Sequence, residues 1–220
     1  MSTNRVLFMS TLVLSLGFPS IVVGIESPTA AADSGIDTSV DATVDTSAEA
    51  TVDATATADA TVAAALDYGG GCVLYPEDRA ATIDSLRLRC SAEQQDAIFR
   101  DAPLGDVPRG TTNGWVTRPP VMEALAPPFW IGKNFYTGPD GGYLMNRITG
   151  AGIEAWKANV YAAPALTDGE PTWVLNYDPS PTPPVYDEIR EVTPGVWFGY
   201  SWWRGFFQTT LLLTFVLTNP

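Results

Sequence analysis

Residues 185–217 read VYDEIREVTPGVWFGYSWWRGFFQTTLLLTFVL, and this stretch decides the fold class. Aromatic and β-branched segments alternate in it with two tight-turn signals, Thr193-Pro194-Gly195 and Arg204-Gly205. Strands joined by such short turns pair as antiparallel neighbours. The stretch therefore predicts three consecutive strands, at Val185–Val192, Val196–Trp203 and Phe207–Leu217.

The segment from Val196 to Leu217 also has the length and low charge of a transmembrane helix, since Arg204 is its single charged residue. A membrane-spanning helix would place Arg204 near the bilayer centre, at a cost of roughly 2.5–3.5 kcal/mol. The Arg204-Gly205 turn signal divides the segment into two aromatic strands. We therefore expect a buried hairpin here rather than a helix.

The same pattern of strands and turns extends upstream to Gly110. Five further strands are predicted there, at Thr112–Thr117, Phe129–Tyr136, Tyr143–Thr149, Ile153–Ala162 and Thr172–Tyr177. Eight short strands joined mainly by tight turns favour an antiparallel meander that closes into a small barrel, and a two-sheet sandwich is the competing architecture. The predicted fold class is mainly β (α+β), an eight-stranded barrel preceded by two short helices.

The two helices are expected between residues 68 and 102. Pro76, Glu77 and Asp78 are expected to open the first, with proline early and acids in the first turn. Ser91 and Gln94 form the capping box of the second, which ends near Asp101.

Cys72 and Cys90 are the two cysteines of the chain, and in an exported protein such a pair predicts one disulfide. The spacings of zinc-binding motifs are absent from the sequence. We therefore expect neither a metal nor a cofactor.

The N-terminus has the plan of a secretory signal, with Arg5 followed by an apolar segment and small residues. Residues 1–24 are predicted to be the signal peptide, with cleavage near residues 30–32 as the second choice and an uncleaved anchor as the alternative. The protein is then secreted or extracytoplasmic, and it has no transmembrane helix after cleavage.

Residues 25–67 form an acidic run of Ala, Thr and Asp without large apolar side chains, which indicates a disordered linker. Residues 68–220 are predicted to be a single folded domain, helical at 68–102 and a barrel at 110–220. That domain holds 16 acidic and 11 basic side chains, so most of the net charge of −13 belongs to the linker. Neither part is basic enough to bind nucleic acid through phosphates.

The chain contains no histidine, which excludes a Ser-His-Asp triad, a histidine base and a histidine-bound metal. The densest polar cluster is Tyr186 to Val192. On a strand, Tyr186, Glu188 and Arg190 share one face. If that face points inward, Arg190 and Tyr186 would hold the acidic head of an apolar ligand; if it points outward, the cluster is a solvated salt-bridge ladder.

Three more residues complete the candidate ligand-binding set. Lys133 would act as a base or nucleophile if desolvated, although a strand lysine more often extends to solvent. Asn146 lies within a strand and needs partners if it is buried. Trp156 suits either core packing or stacking on a sugar.

Trp202 and Trp203 are adjacent, so one of the two must face outward and mark a contact surface.

The chain carries several short motifs, of which the most specific is Asp187-Glu188-Ile189-Arg190-Glu191-Val192 followed by Pro194-Gly195. The others are Gly105–Gly110, Trp130–Phe135, Leu144–Arg147, Ala158–Tyr161, Asp168-Gly169 and Val174–Asp178. Through these motifs the chain resembles a family of mostly uncharacterised bacterial proteins, which implies one domain and no established activity. A looser similarity to lipocalin-like (calycin) barrels rests on strand number; the Gly-x-Trp order of the first lipocalin strand occurs here late, at Gly195-Val196-Trp197.

Together these features favour a secreted, monomeric β-barrel that binds an apolar or amphipathic, lipid-like small molecule. A carboxylate-dependent enzyme, a hydrolase or isomerase using Asp187 or Glu188, is the first alternative. The second alternative is a surface or matrix interaction protein that acts through Trp202 or Trp203.

Overall fold

The computed structural model describes residues 63–148 and 152–220. The predicted signal peptide, and the predicted linker up to residue 62, lie outside the described residues and remain predictions. Within the described ranges, none of the helices has the length and apolar character needed to cross a membrane.

Three helices and ten strands are present in the described part of the chain. The helices are α1 (Arg79–Leu88), α2 (Ala92–Asp101) and α3 (Pro120–Leu125). The strands are β1 (Leu66–Asp67), β2 (Val73–Leu74), β3 (Gly110–Arg118), β4 (Gly132–Gly138), β5 (Gly141–Ile148), β6 (Ile153–Pro164), β7 (Pro171–Asn176), β8 (Val185–Thr193), β9 (Val196–Arg204) and β10 (Thr209–Thr218).

Strands β3 to β10 form a closed barrel in which each strand pairs antiparallel with its sequence neighbour and β10 closes onto β3. The predicted eight-stranded meander is therefore confirmed, and the sandwich alternative is wrong. Closure leaves no free sheet edge around most of the barrel. The architecture is consistent with the lipocalin-like resemblance.

Alternate side chains of the barrel strands belong to two separate cores. One core fills the barrel and includes Phe135, Leu144, Leu175, Ile189 and Phe215, none of which is more than 3% exposed. The other lies between the helices and the outer face of the barrel, and its members include Ile83, Leu86, Ile98, Phe99, Val192, Phe198 and Val216. The barrel interior is thus occupied by side chains.

The two barrel ends differ. At one end, called here the Gly105 end, the indole N–H of Trp173 donates to Gly105 O at 3.1 Å and that of Trp197 donates to Asp106 O at 2.7 Å. Leu104 and Val107 of the same segment pack into the interior core. The 104–107 segment therefore covers this end. The opposite end, called the Trp130 end, carries the β3–β4 and β9–β10 connections.

The N-cap residues mark where α1 and α2 begin. Helix α1 starts at Arg79, and Asp78 is its N-cap because its carboxylate accepts from Ala81 N at 2.9 Å. Pro76 and Glu77 precede the helix, so the expectation that they form its first turn is wrong. The Ser91–Gln94 capping box and the end of α2 at Asp101 are confirmed. So is the Cys72–Cys90 disulfide.

Helix α3 was not predicted. Its six residues follow Pro119, and they are too few to show helical periodicity. The expected strand Phe129–Tyr136 is displaced along the chain, since β4 begins at Gly132 and ends at Gly138. The hairpin of β9 and β10 is confirmed, but its turn is exposed rather than buried.

Candidate functional site

Four of the motifs noted above each contribute one side chain to a single buried group inside the barrel. These are Lys133, Asn146, Tyr177 and Asp187, which we call the Lys133 cluster. Lys133 and Asn146 are paired opposite each other on β4 and β5, while Asp187 is paired with Leu175 on β7. Tyr177 follows directly after β7. The cluster therefore forms a polar layer near the Trp130 end of an otherwise apolar interior.

Gly132 permits the local geometry that turns Lys133 inward. Its φ is +140°, and a Cβ at this position would lie 2.1 Å from Thr112 O. A side chain here would push β4 away from β3, so the close approach of the two strands requires glycine. Lys133 is consequently buried, with 3% of its surface exposed.

All three N–H donors of the Lys133 ammonium are used. Its Nζ donates to Asn146 Oδ1 at 3.0 Å, to Tyr177 Oη at 2.5 Å and to Asp187 Oδ2 at 3.1 Å. Three aromatic rings surround the same nitrogen, those of Trp130, Tyr177 and Phe215, with centroids 5.2–5.5 Å away. The ammonium is thus fully coordinated and shielded from water.

The Asp187 carboxylate is only half satisfied. Its Oδ2 accepts from Lys133 and lies 3.2 Å from the Tyr177 hydroxyl. Its Oδ1 is buried and accepts no hydrogen bond from any residue in the ranges 63–148 and 152–220. A buried carboxylate oxygen without a donor is energetically costly. Asp187 Oδ1 is therefore the point in the cluster at which a further donor would be stabilising.

Burial and charge shift the titration of two cluster members. Desolvation lowers the pKa of Lys133, and the nearby Asp187 carboxylate opposes that shift. Desolvation raises the pKa of Tyr177 well above its usual value, and the negative charge of Asp187 adds to the effect. The tyrosine is therefore a neutral hydroxyl that can both donate and accept at neutral pH.

Trp130 covers the cluster at its own end of the barrel. The indole N–H donates to Asn146 Oδ1 at 3.0 Å, and the ring meets Phe215 edge-on with centroids 5.8 Å apart. Gly114 makes room for it, because a Cβ there would lie 2.4 Å from Trp130 Cη2. Trp130 also lines a cleft of about 230 Å³ that Trp115, Ile131 and Ala126 share. One indole therefore separates this cleft from the buried ammonium.

Arg190 does not line the barrel interior. Ile189 and Asp187 face inward, so Arg190, Glu188 and Tyr186 face outward under the helices and loops. All five guanidinium donors are used, by the Asp168 carboxylate and by the carbonyls of Phe99, Glu170 and Pro171. The expectation that Arg190 holds an acidic ligand head inside the barrel is wrong. So is the solvated-ladder alternative, since Arg190 is only 1% exposed.

Glu188 and Tyr186 lie on the same outward face of β8 as Arg190, and both are buried there. Glu188 is fully buried and accepts from Leu166 N at 2.7 Å, from the Trp202 indole at 3.0 Å and from the Thr167 hydroxyl. Burial raises the pKa of Tyr186 to about 12. Because Asp187 and Glu188 point to opposite sides of β8, they do not share a cavity as a catalytic carboxylate pair.

Trp156 contributes its backbone to the cluster, since its carbonyl accepts from Asn146 Nδ2 at 3.0 Å. The residue lies at a bulge between β5 and β6 and has a φ of +50°. The residue is 38% exposed. The structure thus brings Lys133, Asn146 and Trp156 together and leaves Tyr186, Glu188 and Arg190 on the other side of the barrel wall.

Sequence reasoning missed Tyr177 and Trp130 as site residues. Both belong to motifs that carried the family resemblance, Val174–Asp178 and Trp130–Phe135, and that was the available signal. In the part of the chain that the structure describes, no group of three or more His, Cys, Asp or Glu side chains is placed to hold a metal ion.

Comparisons with known proteins do not show a family for this chain. No family model matches the chain, and no curated protein matches it. A crystal structure of a protein from Thermomonospora curvata is similar over 60% of this chain and 88% of that chain, with 17% sequence identity and a TM-score of 0.42.

Proposed function

We propose that this protein is an exported β-barrel that binds a small, uncharged amphipathic molecule at the Lys133 cluster. The observation that supports it best is the buried Asp187 Oδ1, which has no donor among the described residues and lies beside a desolvated ammonium and a neutral tyrosine. A ligand hydroxyl or N–H would donate to this oxygen. Export is supported by the disulfide and by the signal-like N-terminus.

The charge balance of the cluster favours an uncharged head group. Lys133 is already neutralised by Asp187 at 3.1 Å. An anionic head would place a second negative charge on the same ammonium, next to a carboxylate in a medium of low dielectric. A neutral donor adds a hydrogen bond without that repulsion.

The size of the available space favours a small ligand. The interior is filled by side chains, whereas the cleft beside Trp130 offers about 230 Å³ lined mainly by apolar groups. Ligand pockets for drug-sized molecules are usually larger, about 300–1,000 Å³. The apolar body of the ligand would occupy this cleft, with the Trp130 ring displaced far enough for the head to reach Asp187.

Binding of 2-phenylethanol and of phenylacetate by the full chain tests this proposal, because the two probes differ mainly in the charge of the head. Saturable one-to-one binding of the alcohol, with clearly weaker binding of the acid, is expected in native mass spectrometry and calorimetry. Tyr177→Phe should weaken binding, and Tyr161→Phe, on an exposed tyrosine, is the matched control. Stronger binding of the acid, or no effect of Tyr177→Phe, would count against the proposal.

A further inference from the structure

The β9–β10 hairpin presents a strongly apolar tip at the Trp130 end. Phe206 and Phe207 are 96% and 94% exposed, and their rings meet edge-on with centroids 4.9 Å apart. Trp203, Leu211 and Leu212 behind them are each about 40% exposed. We call residues 203–212 the aromatic tip. Contiguous exposed apolar surface of this kind marks an interaction site.

The tip projects because β10 extends beyond the end of its pairing with β3. Pairing between β10 and β3 begins only at Thr214, which is opposite Arg118, while pairing between β10 and β9 extends to Thr209. Residues 209–213 are therefore held by β9 alone among the described residues. The tip is a two-stranded ribbon that extends past the barrel wall, so its rings point away from the body of the domain.

The charge of the tip differs from that of the rest of the chain. Between Val192 and Pro220 the one charged residue is Arg204, whereas the whole chain carries a net charge of −13. The tip therefore combines two exposed phenylalanines and a half-exposed tryptophan and contains no carboxylate of its own. Its arginine, Arg204, is paired with Asp178 outside the tip at 3.1 Å. Tryptophan beside inserted apolar side chains is the composition found at membrane–water interfaces.

We propose that the aromatic tip docks the protein on the surface of a lipid bilayer, with Phe206 and Phe207 inserted among the acyl chains. A bilayer accepts two projecting rings without a matching pocket, whereas a folded partner would need a concave surface shaped to them. A second copy of this chain would bring together two strongly acidic molecules. This proposal concerns a surface outside the ligand site and does not depend on the Lys133 cluster.

The test places an environment-sensitive fluorophore on Gln208→Cys of the full chain, beside the two phenylalanines. The matched control carries the same label on Leu166→Cys, which is exposed in the β6–β7 loop at the opposite end of the barrel. Phosphatidylcholine vesicles should shift the emission to shorter wavelength at position 208 and leave position 166 unchanged. Because the label reports on its own site, N-terminal contributions to vesicle binding do not affect the comparison.

Phe206→Ser with Phe207→Ser should weaken the affinity for vesicles, measured from the emission at position 208, by about tenfold to a hundredfold. Burial of one phenylalanine contributes roughly tenfold in affinity. Adding anionic phosphatidylglycerol should not strengthen binding, because the domain is acidic. Equal changes at positions 208 and 166, or none at 208, would overturn the proposal. An emission change that follows protein concentration without vesicles would assign the tip to self-association and overturn it equally.

Discussion

The Nζ of Lys133 lies 3.1 Å from Oδ2 of Asp187 inside the barrel, and both side chains are at least 96% buried. The two residues are 54 positions apart in the sequence and reach each other from non-adjacent strands, β4 and β8. A buried ion pair is costly to desolvate and gives little net stability compared with an apolar pair of the same size. Its presence in a filled apolar interior is therefore the strongest sign of a functional role.

The strength of the coupling between Lys133 and Asp187 is the first prediction. Lys133→Met alone, or Asp187→Leu alone, should lower the free energy of unfolding by about 3–5 kcal/mol, because each leaves one buried charge without its partner. The double variant should be more stable than the sum of the two effects by at least about 2 kcal/mol. Urea unfolding of the four proteins measures this, and additive effects would show that the pair is not coupled.

Trp130 covers the Lys133 cluster, and this gives a second prediction. The measured quantity is the rate of chemical labelling of the two lysines of the chain. An amine-modifying reagent should label exposed Lys157 readily and buried Lys133 very slowly. Gly114→Ala should accelerate labelling of Lys133, because the new methyl group displaces the Trp130 ring. Gly138→Ala, which has open space around its Cβ, is the control. Unchanged protection in the Gly114 variant would show that Trp130 does not limit access.

The ion pair between Arg190 and Asp168, outside the barrel, gives a third prediction: the free energy of unfolding depends on pH in the acidic range. The hydrogen bond from Arg190 is the main reason that the pKa of Asp168 lies below its usual value of 3.8. A carboxylate whose pKa is lowered by folding stabilises the folded protein fully at pH values above its unfolded-state pKa. This contribution is lost as the pH falls through the lower pKa of the folded state. The stability difference between the wild type and Asp168→Asn should therefore be largest at neutral pH and shrink below pH 3.8.

The exposed turn residue Asp140 provides the comparison for that pH series. Asp140→Asn should change the free energy of unfolding by less than about 0.5 kcal/mol, as is usual for surface positions. A constant difference between the wild type and Asp168→Asn from pH 7 to pH 2.5 would rule out the Arg190–Asp168 pair as the cause.

The disulfide gives a fourth prediction. Cys72 and Cys90 are 18 positions apart, and closing a loop of this length contributes about 3 kcal/mol in the chain-entropy treatment. Cys72→Ser with Cys90→Ser should lower the free energy of unfolding by about that amount in urea titrations. The same loss should follow reduction of the wild type, and a much smaller one would mean that the helices hold together without the bond.

The fold was largely predictable because local signals agree with each other. Turn signals such as Thr193-Pro194-Gly195 separate strands of the right length, and β8 differs from its predicted bounds by one residue. The alternation along β8 also showed that Glu188 and Arg190 share a face. It did not show which face is inward, since that depends on closure of the barrel and on where α2 packs.

The site was predictable only in part. Lys133 and Asn146 stood out as polar residues within apolar strands, and the structure brings them together. Their partners are Tyr177, which follows β7, and Asp187 of β8, and linear spacing carries no information about contacts across a closed barrel. Arg190 was misplaced for the same reason, because its partner Asp168 lies in a loop whose position the sequence does not reveal.

The most direct test of the central proposal is carbon NMR of the lysine side chains, labelled at Cε. The chain has two lysines, buried Lys133 and exposed Lys157, so Lys157 is an internal control. Titration with 2-phenylethanol should shift the Lys133 resonance in a saturable manner and leave that of Lys157 in place. Saturable binding of the alcohol without any change at Lys133 would contradict the assignment of the ligand site.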